Sequence, residues 1–234
     1  MTKPRQSGFT LVEIAIVLII VGLMVGGLLA PLGMQLEQRK ISETQKAMED
    51  AREALVGYAL RNGYLPCPAI SASNGLEARN GSRCAGERRS GYLPWATLGL
   101  GKLDSWNHLF RYSVTPAFSD SDTLFNLSTP RDITVATRDG SGQLVAATAV
   151  NDIPAVIVSH GKNGFGGSNE LGGLIANGAT GNTDEQLNAG SDTQFVSRYA
   201  SDLASAPGGA YDDIVVWLSP NILFNRMVAV QKIQ

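Results

Sequence analysis

From Ile14 to Met34 the chain runs 21 residues without a charged side chain, reading IAIVLIIVGLMVGGLLAPLGM. As a helix rising 1.5 Å per residue, that run is about 31 Å long, close to the thickness of a bilayer's hydrocarbon core. Such a segment either spans a membrane or lies buried among other apolar helices. Lys3 and Arg5 precede it and are the only charges ahead of Glu13. The preference of cationic residues for the cytoplasmic side then keeps the amino terminus inside and sends the remainder outward.

Two common designs share these features. A secretory signal peptide has a basic start and an apolar middle, and is cut after small residues. Here the candidate residues, Leu28–Ala30, are followed at once by Pro31, and the apolar run exceeds a typical signal's. A plain signal anchor needs no cut. Neither design accounts for Glu13, a carboxylate at the edge of the run, where charge is costly and usually functional.

Gly8-Phe9-Thr10-Leu11-Val12-Glu13, leading into the apolar run, resembles the class III signal of type IV pilins and type II secretion pseudopilins. The resemblance implies a leader, residues 1–8, cut between Gly8 and Phe9 by a prepilin peptidase, and N-methylation of the new terminus at Phe9. It further implies that Glu13 of one subunit neutralises the Phe9 amine of a neighbour during assembly. The physical need is plain: an unpaired amine or carboxylate among packed apolar helices costs several kcal/mol (about 3–5). A carboxylate that merely snorkels to the membrane interface is the alternative for Glu13. Gly8, lacking a side chain, leaves its peptide bond accessible to a narrow protease site.

The remaining residues are expected to form a helix and a head. Residues 9–34 read as a transmembrane and filament-core helix, in which Gly22, Gly26 and Gly27 permit close helix approach and Pro31 loosens the backbone. Residues 35–62 continue it as an amphipathic half, with Ile41, Met48, Ala51, Leu55, Tyr58 and Ala59 near helical spacing, and Asn62-Gly63 as the stop. Residues 63–234 form the head. Strand patterns recur at Leu109–Thr115, Ile133–Thr137, Leu144–Ala149, Ala155–Ser159 and Ile214–Leu218. Segment 91–100, aromatic and apolar residues interrupted by turn formers, reads as docking the 67–84 loop onto the helix, the glycine-rich stretch 161–190 as turns, and Pro220–Gln234 as a last short helix or strand. The fold class is α+β: a long amino-terminal helix packed on an antiparallel sheet, pilin-like.

Cys67 and Cys84 are the only cysteines, and an even count in an exported chain suggests one disulfide, with two unrelated buried thiols as the alternative. Loss of residues 1–8 leaves 17 cationic against 21 anionic side chains, so the exported part is mildly acidic. Arg79, Arg83, Arg88 and Arg89 make a basic loop, for which solvation is favoured over contact with nucleic acid. No small-molecule ligand is evident.

Two segments of the head extend the resemblance. Asp104-Ser105-Trp106-Asn107, with Phe110 and Tyr112, is similar to the D-x-W-G…Y segment of major pseudopilins, with Asn107 in place of glycine where a positive φ is needed. Ser159-His160-Gly161-Lys162-Asn163-Gly164, Gly166-Gly167 and Asp212-Asp213-Ile214 resemble their carboxy-terminal loop, here enlarged by an insertion over 161–210. In major pseudopilins that loop holds calcium, which implies Asp212 and Asp213 as ligands; capping of the turn before a strand is their alternative role. Asp184, Glu185 and Asp192 lie in the insertion and are available to contribute. No other cofactor is indicated.

No catalytic constellation accompanies these features. His108 and His160 are the only histidines, Ser159 lacks nucleophile-elbow surroundings, and GKNGFGG lacks the GK[ST] of a phosphate-binding loop. The sequence therefore reads as a non-enzymatic minor pilin or pseudopilin of the bacterial inner membrane, single-pass, with a periplasmic head that joins a filament. Its expected partners are the prepilin peptidase and methyltransferase, the membrane, and other pilin subunits. An adhesive or ligand-binding head on the same anchor is the alternative.

Overall fold

The computed structural model describes residues 10–176 and 180–233, and for residues 25–31 the backbone alone. Gly8 and Phe9 lie outside the described residues. The chain divides into two compact units, residues 1–42 and 43–234.

One helix, α1, runs from Leu11 to Asn62. Within the first unit, the side chains of residues 11–24 are exposed. Among the described residues no helix is long and apolar enough to cross a membrane. The middle of the uncharged run, residues 25–31, is the part whose side chains are not described. The helix stops where the sequence indicates. Gly63 adopts φ 85°, its N–H donates to the Ala59 carbonyl at 2.7 Å, and Asn62 Nδ2 donates to the Tyr58 carbonyl at 2.9 Å.

In the second unit, Thr44, Met48, Ala51, Leu55, Val56 and Ala59 form the buried stripe of α1. After it come β1 (Arg79–Asn80), β2 (Arg83–Cys84), β3 (Ser90–Tyr92), the short helix α2 (Trp95–Leu98), β4 (His108–Leu109), β5 (Arg111–Val114) and α3 (Pro116–Ser119). The order continues with β6 (Thr134–Arg138), β7 (Leu144–Ala146), β8 (Ala155–Ser159), β9 (Ser168–Asn169), α4 (Thr183–Gly190), β10 (Gln194–Val196), β11 (Ile214–Trp217) and α5 (Pro220–Ala229).

The central sheet has the order β11-β8-β5-β3 and is antiparallel throughout. Its two faces feed two cores because side chains alternate along each strand. Tyr112, Val114, Ala155, Ile157 and Val216 join Met48, Leu55 and Ala59 of α1. Val156, Val158, Val215 and Trp217 face the other way and pack with Ile133, Val135, Ile153 and Phe195. β8, AVIVS, is buried along its whole length, as expected of a strand covered on both faces.

The expected α+β architecture, a long amino-terminal helix followed by antiparallel sheets, holds. Beyond the central sheet, β6 pairs antiparallel with β7 but parallel with β10, in a separate three-stranded sheet. One expectation, that 161–190 forms turns, needs correction. The glycine-rich stretch contains α4, whose TDEQLNAG is polar and short, so it lacks the apolar periodicity that announces a helix. Ser90–Tyr92 forms an edge strand, β3, with a glycine at its centre and no β-branched residue, so pairing with β5 decides its conformation. The carboxy-terminal segment is a helix, α5, with Pro220 in its first turn, where a missing N–H costs nothing.

Candidate functional site

Two places in the described residues carry groups that the fold alone does not require. The first is the start of α1. The Thr10 amide donates to Glu13 Oε2 at 2.8 Å, the Thr10 hydroxyl reaches the same oxygen at 2.9 Å, and the Glu13 amide donates to Thr10 Oγ1 at 3.3 Å. This is a reciprocal capping box, satisfying amide groups that a helix start leaves without partners. The residue assigned to assembly by resemblance is thus already held by its own helix. The T-x-x-E spacing signals this in the sequence, and neither role read for Glu13, assembly or snorkelling, includes it.

The second place lies where β11 begins. Asp212 and Asp213 precede β11, and Glu185 stands in the first turn of α4. One carboxylate oxygen from each lies within 4.8 Å of the others. Glu185 Oε1 accepts from Asn163 Nδ2 at 2.9 Å and from the Asp212 amide at 3.0 Å, and its Oε2 accepts from Asn182 Nδ2 at 3.0 Å. Asp212 Oδ2 accepts from the Asn163 amide at 2.9 Å, and Asp213 Oδ2 from Asn188 Nδ2 at 2.8 Å. The two aspartates' side-chain bonds thus reach Asn163 and Asn188, far along the chain, rather than the residues just before β11.

What remains unsatisfied is informative. Oδ1 of Asp212 and Oδ1 of Asp213 are buried with no hydrogen-bond partner, and so is Nδ1 of His160. His160 Nδ1 stands 3.6 Å from Asp213 Oδ1, with the two side chains 1% and 0% exposed. Burial drives the Asp212 carboxyl up to about 7; nearby Glu185 and Asp213 push the same way, against the amide bond from Asn163. Glu185 is likewise raised, chiefly by burial and with help from Asp213. Carboxylates crowded in this way need protons or a cation. The donor set, all carboxylate oxygen, is of the kind that a hard divalent cation takes. The close fit extends to the backbone: Gly161 has φ 55°, and a Cβ there would stand 2.3 Å from the Asp212 carbonyl oxygen.

Of the acidic residues in the insertion, only Glu185 joins this group. Asp184, fully buried, takes Arg138 through Nε at 2.9 Å and Nη2 at 2.5 Å, and Arg198 Nε at 2.7 Å. Arg198 stacks on Tyr211, 4.4 Å from its ring centre. Asp192 pairs with Arg111, which also caps the end of α4 by donating to the Ala189 and Ser191 carbonyls. Asp184 and Arg111 thus pin the two ends of the helix that delivers Glu185.

The other sequence-predicted residues are placed as follows. Cys67 and Cys84 form a disulfide, with Cα atoms 5.3 Å apart. Glu77 links the loop that it closes to α1, accepting from Tyr58 Oη at 2.7 Å and from the Cys67 amide at 3.0 Å. Asn107 adopts φ 67°, the conformation for which it was read as a glycine substitute. Asp104 organises that turn: its Oδ1 accepts the Trp106 and His108 amides, and its Oδ2 accepts the Ser159 hydroxyl. Separated by 52 positions in sequence, the two histidines meet the same loop. His108 Nδ1 lies 3.0 Å from the Gly161 carbonyl oxygen, while His160 belongs to the loop itself.

Residues 3–29 match the family described as the prokaryotic N-terminal methylation motif. No curated protein and no solved structure matches the chain. The matched stretch contains Gly8, Phe9, Thr10 and Glu13, and runs into the continuous helix that Thr10 and Glu13 cap. The chain therefore carries the amino-terminal signal of the type IV pilins and pseudopilins.

Proposed function

We propose that this chain is a minor pilin or pseudopilin, a non-enzymatic subunit cut after Gly8 by prepilin peptidase, methylated at Phe9, and assembled into a pilus or type II secretion pseudopilus. The observation that carries the reading is the methylation motif over residues 3–29 on a chain whose helix continues unbroken to Asn62. Before assembly the uncharged run 14–34 anchors the protein in the bacterial inner membrane, with the amino terminus cytoplasmic and residues 63–234 in the periplasm. In the filament, Glu13 leaves its own capping box and neutralises the Phe9 amine of a neighbouring subunit. That exchange keeps the carboxylate satisfied in both states, so neither state buries an unpaired charge.

Asp212, Asp213 and Glu185 hold a calcium ion in this reading. The two orphaned aspartate oxygens, the all-oxygen donor set and the raised Asp212 carboxyl support it. The ion would tie the loop after β8, α4 and the start of β11 together at one point.

Co-expression with a prepilin peptidase tests the central step. The native chain should shift to a shorter form that enters filaments, whereas Gly8→Val should stay uncut and remain in the membrane fraction. Filament entry of the uncut variant would defeat the proposal.

A further inference from the structure

β8 and β11 pair antiparallel with Ile214 opposite Ser159. One residue beyond the ladder the same register sets Asp213 opposite His160, and the next sets Asp212 opposite Gly161. Residues opposite one another direct their side chains to the same face. The side chains keep this order. His160 Nδ1 stands 3.6 Å from Asp213 Oδ1, and a Cβ on Gly161 would stand 2.4 Å from Asp212 Oδ1. The loop after β8 therefore carries an imidazole to one aspartate of the acidic group and a bare backbone to the other.

His160 is fixed in this position and has nothing to bond. Its carbonyl accepts the Gly164 amide at 2.9 Å, and a Cβ on Gly167 would stand 2.8 Å from its ring, so the loop backbone lies against the imidazole. Among the described residues Nδ1 has no hydrogen-bond partner, although the side chain is 1% exposed. Asp213 Oδ1, which faces it, is in the same condition with its side chain fully buried. Buried polar atoms of this kind call for a missing partner. At 3.6 Å the two are too far apart for a hydrogen bond. Two ligands about 2.1 Å from one ion, at a tetrahedral angle, stand about 3.4 Å apart. His160 adjoins the acidic group through Asp213 alone, so Asp213 is the ligand common to the imidazole and to the other two carboxylates.

The nitrogen changes which ion the group prefers. Calcium takes oxygen ligands, whereas imidazole suits the divalent first-row transition metals. Resting on the reading of Asp212, Asp213 and Glu185 as a cation site, we propose that His160 Nδ1 is a further ligand there, so that the site takes a divalent first-row transition metal ion in preference to calcium. Calcium occupies the three carboxylates where no such metal is present.

The test uses the full chain in detergent micelles, stripped with EDTA and titrated with manganese(II) chloride or calcium chloride. Pulsed EPR of the manganese-loaded chain reads whether a nitrogen is bound. Manganese should bind about tenfold or more tightly than calcium and displace it, with coupling to one imidazole nitrogen. His160→Gln, which puts an amide oxygen in place of the nitrogen, should lose that coupling and about tenfold in manganese affinity while keeping its affinity for calcium. His108→Gln should change neither, and Asp213→Asn should lose both ions. Calcium binding with no preference for manganese and no nitrogen coupling would overturn the inference and leave the calcium site standing, with His160 an imidazolium beside Asp213. Failure of both ions to bind would overturn the cation site and the inference with it. The coupling is read on the native chain, so the outcome does not depend on whether His160→Gln folds.

Discussion

Thr10 and Glu13 satisfy each other at the start of α1, amide to carboxylate at 2.8 Å and amide to hydroxyl at 3.3 Å. The carboxylate on which assembly depends in the proposed function is therefore neither free nor buried in the unassembled chain. It is held in place by a contact that costs little to exchange, since a helix-capping residue contributes about 1 kcal/mol.

Substitution there should separate assembly from folding. Glu13→Ala should abolish filament entry while leaving the head's thermal transition unchanged, because both partners of the capping box lie in the first unit. Thr10→Ala should weaken the helix start by about 1 kcal/mol and reduce filament entry only partly. Pull-down of filaments alongside circular dichroism of the same variants checks both. A lower melting temperature in Glu13→Ala would mean that the residue serves the head.

Opening the disulfide should destabilise the head without unfolding it. Cys67 and Cys84 are 17 positions apart, and a loop of that size contributes about 3 kcal/mol. In a chain of this length that corresponds to a fall of about 6–12 °C in Tm. Scanning calorimetry with and without reductant, and of Cys84→Ser, measures it.

Calcium and pH should act on the same carboxylates in opposite senses. Asp212, with its carboxyl raised to about 7, binds more protons folded than unfolded between the ordinary aspartate range and neutrality. Its contribution therefore makes stability fall as pH rises through that window. A bound divalent cation replaces those protons, so in millimolar calcium the loss should disappear, and calcium at a hundred times its Kd should add about 2.7 kcal/mol at pH 7.5. Melting curves in EDTA and in calcium, at pH 5 and 7.5, show whether this occurs. Asp213→Asn should remove the calcium response.

Asp184 should prove the costliest acidic residue to lose. Asp184→Ala leaves Arg138 and Arg198 without their shared partner, at a cost of about 3–5 kcal/mol. By releasing the first turn of α4 it should also weaken calcium binding, although Asp184 is not a ligand. Urea denaturation and isothermal titration give the two readings.

Legibility in the sequence followed how local the determinant was. The helix end at Gly63, the positive φ of Asn107 and strand β8 depend on a few adjacent residues, and all three were readable. β3 and α4 were not, because Ser90-Gly91-Tyr92 is a strand only beside β5, and α4 is held at its ends by Asp184 and Arg111 rather than by an apolar stripe. The acidic site was half legible. Asp212 and Asp213 could be named from their motif, but the choice of Glu185 over Asp184 and Asp192 depends on which arginines claim the other two.

The proposed function depends on cleavage of the bond between Gly8 and Phe9, which mass spectrometry of the protein extracted from bacterial membranes reads at once. The expected chain begins at Phe9 and carries a methyl group on that amine. A chain that still begins at Met1, or one cut near Ala30, would contradict it.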